Sequence, residues 1–575
     1  MYDELRQVWG EMTAPGAPFE VEEVVVRGVR IKSYVKAPQS LREVWLASSA
    51  HGDRDYLVYQ DERWTYSEAH QQVARLANWL VANGVGSGDR VAIAMRNYPE
   101  WMLAYWATIS IGAIAVGMNA WWTEPEMAFG IRDAEPKVLI CDRERFERFL
   151  PQRANLPDCL VIGVRLPDPL PPDVVDWNDI CHDQRLSDVM PEVVVDADAD
   201  ACIFYTSGTT GQPKGAQLTH RGCVNNLLSL VFWNLTQAAA SQRARASSGT
   251  DDPPTPAVQS SGQPASLVCT PLFHVTANNC LAHSMTMAGG KLIHTYKWDA
   301  GEALRLIERE RITNFSGVPV MARELLAHPD FAKTDTSSLQ ALGGGGAQLQ
   351  PDLVAKIEKT VATARPGTGY GMTETCGVIT ANSADFFVDK PASVGPALPT
   401  FETKCIDADG KTVPQGQTGE LCVRGAQVIR GYLNREEETA EAIQDGWLRT
   451  GDIARIDEDG FIFIVDRVKD MVLRGGENVY CAEVEAALFD HPAVAECAVF
   501  SVPDDRLGEE VAAAILLHPG SDVDVEALRA HCAVSLAKYK IPRYIWLSNE
   551  PLPRNASGKF LKRQLREDLE LADAL

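Results

Sequence analysis

Short apolar runs alternate with segments of helical period along most of this chain, and that alternation restricts what it can fold into. Runs such as 91–95 and 138–141 read as buried strands, while 41–50 and 66–83 carry apolar residues at helical spacing. Strands alternating with helices over several hundred residues build α/β layers with largely parallel sheets, because parallel neighbours need a crossover between them. No internal repeat interrupts the pattern. At 575 residues the chain has room for about three to four ordinary domains, or one large and one small.

Two breaks divide the chain. Residues 238–266 are rich in Ala, Ser, Pro, Gln and Gly and lack large apolar side chains, which predicts a disordered surface insertion. The second break follows the apolar strand Phe461, Ile462, Phe463, Ile464, Val465, where the polar string Asp466, Arg467, Val468, Lys469, Asp470 begins. Beyond it, 481–488, 493–502, 510–517 and 525–536 carry helical and strand patterns of their own. The reading is a large N-terminal domain over 1–466, a hinge at 467–470 and a small domain over 471–575.

Charge and cysteine usage exclude several functions. With 54 basic against 78 acidic residues the net charge is −24, a field that repels nucleic acid and anionic membranes. Thirteen cysteines, an odd number without a C-x-x-C pair, predict reduced thiols in a cytoplasmic protein rather than disulfides or a zinc site. The first residues, Met1, Tyr2, Asp3, Glu4 and Leu5, have acids where a signal peptide has lysines. Residues 101–123 are uncharged and long enough to span a bilayer, yet Gly112, Gly117 and Asn119 interrupt them, and 113–116 read as a turn from helix into strand. The expectation is a buried core segment and no transmembrane span.

Four strings carry chemistry. Thr206, Ser207, Gly208, Thr209, Thr210, Gly211, Gln212, Pro213, Lys214 and Gly215 follow an apolar run and form a donor-rich loop with one cation, suited to a polyphosphate. It is not a Walker A loop, since Pro213 stands where that pattern needs Gly and Gly215 where it needs Ser or Thr. Gly369, Tyr370, Gly371, Met372, Thr373 and Glu374 combine an aromatic face, a hydroxyl and a carboxylate able to hold Mg²⁺. Asp452, in Trp447, Leu448, Arg449, Thr450, Gly451, Asp452, suits two ribose hydroxyls. Lys559 ends the string Pro553, Arg554, Asn555, Ala556, Ser557, Gly558, Lys559.

Taken in this order, the strings resemble the adenylate-forming superfamily: acyl- and aryl-CoA synthetases, peptide-synthetase adenylation domains and beetle luciferases. The resemblance runs from about Leu41 to Arg566. It implies a large domain that includes a small β-barrel-like part, and a small mobile α+β C-terminal lid. It also implies ATP, Mg²⁺ and coenzyme A as reactants or cofactors, a small carboxylic acid as substrate, and room for a homodimer.

The family's roles fall on this chain as follows. Thr206 to Lys214 would close over the β- and γ-phosphates, and Gly346, Ala347 and Tyr370 would form the adenine slot. Thr373 would touch the α-phosphate, Glu374 would hold Mg²⁺, and Asp452 and Arg467 would grip the ribose. Lys559 would reach in from the lid to the carboxylate and the bridging oxygens. His274 would gate the way from acyl pocket to thiol tunnel, and Lys469 would be the pivot. Eight basic residues between Lys538 and Arg566, against the single acid Glu550, suit the phosphates of ATP or coenzyme A.

The acyl pocket expected by position comprises Phe273, His274, Val318, Gly343, Gly344, Gly345, Gly346, Gly371, Met372 and Val378. It lacks an Arg or Lys for a second carboxylate and an Asp for an α-amine, so an amino-acid substrate is disfavoured. The run of glycines is read as free space for a medium- or long-chain fatty acid or a bulky alicyclic acid, with an aryl or steroid acid as alternatives. A separate carrier protein remains an alternative to free coenzyme A. A non-catalytic scaffold is disfavoured because Lys559 and Glu374 are both present. A serine hydrolase or dinucleotide oxidoreductase is disfavoured because G-x-S-x-G and a strand-linked G-x-G-x-x-G are missing.

Overall fold

The computed structural model describes all residues except 157, 207–211, 249–261, 347–348, 476, 522, 556–557 and 575. Two sheets organise the large part of the chain. The first runs, edge to edge, Lys214–Thr219, Asp200–Thr206, Ile114–Gly117, Arg90–Ala94, Val138–Asp142, Leu160–Val164 and Val174–Asp176. It is parallel except for its antiparallel edge pair, 200–206 with 214–219. The second runs Gly377–Ser383, Arg365–Met372, Ala341–Gly344, Asn314–Gly317, Ala265–Val268, Lys291–His294, Asp55–Tyr59 and Glu62–Thr65, parallel inside and antiparallel at both edges.

The uncharged stretch is core. Helix Pro99–Ser110 opens with proline at its first turn, where no donor is lost, and every one of its residues is buried. Gly112 at φ +76 turns the chain out of the helix into the buried strand Ile114–Gly117. Twelve residues reach about 18 Å, well short of a bilayer. Among the described residues no helix is long and apolar enough to cross a membrane. The helix Tyr66–Ala82 starts on a capping box between Thr65 and Glu68 and packs beside it.

Part of the expected insertion is ordered. Helix His220–Ser248 runs through residues 238–248, and Ala265 and Ser266 lie in a buried strand; 249–261 fall outside the described residues. The lack of large side chains misled the reading. Alanine is the best helix former, and Ala240 is buried in the cluster shared with Leu5, Val8 and Phe232. Arg243 to Glu11 and Arg245 to Asp385 tie the helix to its neighbours.

The small β part is a six-stranded antiparallel sheet: Gly395–Pro396, Phe461–Arg467, Trp447–Ile456, Gly419–Gly425 and Phe401–Ile406, with Ile443–Gln444 paired to 447–456. Residues beyond it form a five-stranded sheet from Val472–Arg474, Glu477–Val479, Val494–Asp504, Gly508–Leu517 and Tyr544–Ser548. Helices Cys481–Phe489 and Val525–Ser535 pack on it over their own apolar cluster. That arrangement is α+β, with one parallel pair among antiparallel ones.

Candidate active site

The turn between strands Arg365–Met372 and Gly377–Ser383 presents Thr373 and Glu374, both buried. Thr375 closes the turn: its hydroxyl bonds the Gly377 carbonyl at 2.9 Å and takes the Met372 N–H at 3.1 Å. Gly371 is required here, because a Cβ would stand 1.9 Å from the Gly377 carbonyl oxygen. Glu374 Oε1 accepts a 2.9 Å hydrogen bond from the Tyr432 hydroxyl, and Lys214 Nζ lies 5.3 Å from the centre of the Tyr432 ring. Burial and the Glu374 charge hold the Tyr432 hydroxyl far above its ordinary value, so it stays a donor.

Asp452 and Arg467 face each other across strands 447–456 and 461–467. Arg467 Nε donates to Asp452 Oδ1 at 3.0 Å, and the Tyr370 hydroxyl donates to Oδ2 at 2.6 Å. Burial and the Asp452 charge push the Tyr370 hydroxyl well up. Each Asp452 oxygen keeps a second lone pair, enough for ribose hydroxyls. Tyr370 and Met372 pack onto the apolar cluster of the antiparallel sheet.

Lys559 comes from the part of the chain beyond residue 470. Its loop is braced by Asn555, whose N–H donates to the Lys559 carbonyl and whose Oδ1 accepts the Lys559 N–H, both at 2.9 Å. Gly558, at φ +75, abuts Val318, so closely that a Cβ would stand 2.9 Å from Val318 Cγ2. Among the described residues the Lys559 ammonium makes no hydrogen bond or ion pair. Its side chain is exposed to solvent, yet surrounding protein partly desolvates the ammonium. That desolvation and the nearby Arg467 lower its pKa, while Asp452, Glu374 and Asp470 oppose the shift.

His274 lies within electrostatic reach of that ammonium. Burial, then the Lys559 charge, lowers it to about 4, so it is neutral at pH 7. The Thr276 N–H donates to Nδ1 at 3.3 Å, which leaves Nε2 as the protonated nitrogen. The loop that bears His274 is held by Asn97: its Nδ2 donates to the Val268 and Thr270 carbonyls and its Oδ1 accepts the Leu272 N–H.

Contacts thus link Lys214, Tyr432 and Glu374, and link Tyr370, Asp452 and Arg467, while Lys559 lies within electrostatic reach of Arg467, Asp452, Glu374 and His274 and its loop abuts Val318. Thr206 and Lys214 pair across their hairpin, with the Thr206 hydroxyl 3.4 Å from the Lys214 carbonyl. Ser207, Gly208, Thr209, Thr210, Gly211 and Ala347 lie outside the described residues. Lys469 is exposed on the turn after 461–467. Phe273 and Val378 are buried apolar residues.

The glycine run is not the open space expected of it. A Cβ on Gly343 would meet the Gly367 carbonyl at 2.5 Å, and one on Gly344 would meet Leu349 at 2.3 Å. Those two glycines serve close strand packing. Only at Gly345 would a Cβ sit in ordinary contact, 3.5 Å from Thr276, while Gly346 supplies a turn at φ +79.

Tyr432 and Asn226 escaped the sequence reading. Asn226 Oδ1 accepts the Val378 N–H at 2.9 Å, and its Nδ2 donates to the Asn279 carbonyl at 3.3 Å, tying the pocket wall to the helix behind it. Neither residue stands in a string with its partner, so spacing carried no signal.

Glu374 is the residue a divalent cation would meet. One oxygen is engaged by Tyr432, and the other has no partner among the described residues. A single open carboxylate oxygen fits Mg²⁺, which keeps waters and shares phosphate oxygens. Among the described residues no group of three or more candidate metal ligands occurs.

Comparison with known proteins agrees with this geometry. The family model for AMP-binding enzymes matches residues 44–433, and that for the AMP-binding enzyme C-terminal domain matches 483–559. A feruloyl-CoA synthase from an Amycolatopsis species is 36% identical over 506 residues, covering 87% of this chain and 93% of that protein. A long-chain-fatty-acid–CoA ligase from Bacillus subtilis is 30% identical, covering 90% and 92%. The solved structure of o-succinylbenzoate CoA synthetase from Bacillus subtilis, in complex with an acyl-adenylate intermediate, superposes with a TM-score of 0.73 at 29% identity, covering 91% and 97%. The chain therefore belongs to the AMP-binding enzyme family, the adenylate-forming superfamily, and within it to the acyl-CoA synthetases.

Proposed function

We propose that this enzyme activates an apolar carboxylic acid with ATP and passes the acyl group to coenzyme A. The observation that carries the reading is the unpaired Lys559 ammonium, delivered from the C-terminal part of the chain into the cleft that holds Glu374, Asp452 and His274. A carboxylate oxygen attacks the α-phosphorus and the bond to the bridging oxygen breaks, giving acyl-AMP and pyrophosphate. Both reactants are anions, so the step needs positive charge where they meet; Lys559 supplies it by position, not by proton transfer. Mg²⁺, when bound at Glu374, adds charge neutralisation on the phosphate oxygens. Tyr370, Asp452 and Arg467 orient the nucleotide, Thr373 the α-phosphate, and the 206–214 hairpin the outer phosphates.

In the second step the thiol sulfur attacks the acyl carbonyl, AMP leaves, and the thiol proton passes to solvent. Lys559 occupies the cleft in the arrangement described here, so thiol entry calls for the part beyond 470 to swing away about 467–470. We assign 1–466 to the adenylation domain, Lys469 to the pivot and 471–575 to the lid. His274, neutral and Nε2-protonated, lines the way for the thiol.

Val318, Val378 and Phe273 wall the acyl side with apolar surface, which favours a fatty or alicyclic acid. A second reading, an aryl acid, is favoured by the 36% identity to a feruloyl-CoA synthase. A reducing cytoplasm is the compartment proposed for it, supported by thirteen free cysteines, twelve of them buried. An acid panel scored for pyrophosphate release, with and without coenzyme A, tests the whole reading. Acid-dependent release followed by thioester supports it. Adenylate without thioester points to a carrier-protein acceptor, and no release with any acid sinks the reading.

A further inference from the structure

Outside the adenylation site, Arg96 is a cation held against aromatic rings rather than against an acid. Arg96, two residues beyond strand Arg90–Ala94, packs over two aromatic rings, with its guanidinium carbon 5.2 Å from the Trp121 ring centre and 4.9 Å from that of Tyr296. Among the described residues the guanidinium makes no hydrogen bond or ion pair, and its Nε is buried without a partner. A guanidinium stacked against aromatic rings keeps its in-plane donors, and those donors match a phosphate. Leaving such a donor buried and unmet costs stability unless a ligand meets it.

The surroundings are built to hold the cage still. Trp121 is half exposed, yet its backbone is fastened on both sides. Arg145 donates to the Ala120 carbonyl at 2.8 Å, Arg148 donates to the Ala120 and Trp122 carbonyls at 3.1 and 2.7 Å, and Asn119 Oδ1 accepts the Trp121 N–H at 2.9 Å. Glu144, the acid beside Tyr296, is already paired with Arg148 and Arg145, so it does not neutralise Arg96. A large exposed ring on a pinned backbone is a stacking platform.

Position gives the platform its ligand. Arg96, Trp121 and Tyr296 all follow the carboxyl ends of strands: Arg90–Ala94 and Ile114–Gly117 in the first sheet, Lys291–His294 in the second. Strand 90–94 lies between 114–117 and 138–142, where the first sheet reverses its order, and ligands of such sheets bind in that crevice. Asn97, next in the chain, holds Leu272, two residues from His274. At 3.8 Å per residue step, those links keep the cage within about 20 Å of His274.

We infer that Arg96, Trp121 and Tyr296 form the docking site for the adenosine 3′,5′-bisphosphate end of coenzyme A, with a phosphate on the Arg96 donors and the purine on Trp121. The inference rests on the thioester-forming reading above and selects free coenzyme A over a carrier protein as acceptor, since a carrier brings no nucleotide. The pantetheine arm spans the distance from the cage to the His274 loop.

The test separates the two readings. Calorimetric titration of the full chain with adenosine 3′,5′-bisphosphate, at saturating AMP to fill the adenylation site, should show binding that Arg96→Gln weakens about 10- to 100-fold and Trp121→Ala about 10-fold. In steady state the same substitutions should raise KM for coenzyme A by similar factors and leave KM for pantetheine, which lacks the nucleotide, where it is. Trp121→Ala changes an exposed side chain, so it answers even if Arg96→Gln folds poorly. Equal bisphosphate affinity in wild type and both variants, or a coenzyme A KM that moves no more than that for pantetheine, overturns the cage. Absent acid-dependent pyrophosphate exchange in the wild type would instead overturn the synthetase reading.

Discussion

The two walls of the cleft are prepared differently. On the large-domain side two carboxylates are engaged before any ligand arrives: Glu374 by Tyr432, and Asp452 by both Tyr370 and Arg467. On the other side Lys559 has no partner among the described residues, and it stands on a loop in which Gly558 abuts Val318. The first wall keeps fixed dipoles aimed at the nucleotide and loses little by reorganisation. The second carries a charge that can be withdrawn, because removing it breaks no buried ion pair. A site that runs two reactions in turn needs both kinds of wall.

Lys559→Ala breaks the contrast most severely. Adenylation, followed by acid-dependent pyrophosphate exchange, should fall on the order of 10²- to 10³-fold, the scale of losing one preorganised stabiliser of developing charge. Thioester formation from supplied acyl-AMP should fall far less, since Lys559 has left the cleft by then; an equal loss in both steps would mean the lysine is not deployed separately. Tyr432→Phe probes the fixed wall. It frees the Glu374 carboxylate from a charge-assisted hydrogen bond and should lower kcat/KM for ATP about 10-fold, with the larger effect at limiting Mg²⁺.

The glycines sharpen the contrast further. Gly345→Ala places a methyl in ordinary contact with Thr276, so thermal stability should stay close to wild type. Discrimination against the bulkiest acids should rise about 10-fold, as one methyl in a pocket does. Gly344→Ala instead drives a Cβ onto Leu349 and should cost stability, read as a lowered Tm.

Strings of local chemistry were legible, and contacts between distant segments were not. The helices at 41–50 and 66–83 and the strands near 91 and 138 stand where periodicity places them, because period reports burial directly. The insertion at 238–266 was misread because composition reports large side chains, while Ala240 buries a small one against residues some 230 positions away. The glycine run was misread for a related reason: a missing side chain looks like space, but at Gly343 a neighbouring strand fills it. Tyr432, Asn226 and Arg96 act through partners with no sequence spacing to them, so only the fold could pair them.

The smallest predicted effects are those of pH, and they differ between the walls. Lys559 has a lowered pKa, so the alkaline limb of adenylation should begin below the ordinary lysine value near 10.5, and Lys559→Arg should move that limb upward. Asp466 tests the seam between the walls. Buried at the end of strand 461–467, it accepts the N–H groups of Arg467 and of Cys481, the first residue of the helix beyond the hinge. Burial raises it to about 6. A carboxyl raised above its unfolded value near 3.8 favours the folded state below that value, and this contribution is lost as pH rises through about 6. The shift corresponds to about 3 kcal/mol at most. Asp466→Asn keeps an oxygen to accept the Cys481 N–H but cannot ionise, so its Tm should lack the wild-type decline between pH 4 and 6 and exceed wild type by a few degrees at pH 7.5. Parallel pH profiles for the two proteins would show that the seam carries no buried charge, and that the unpaired wall is held by apolar contact alone.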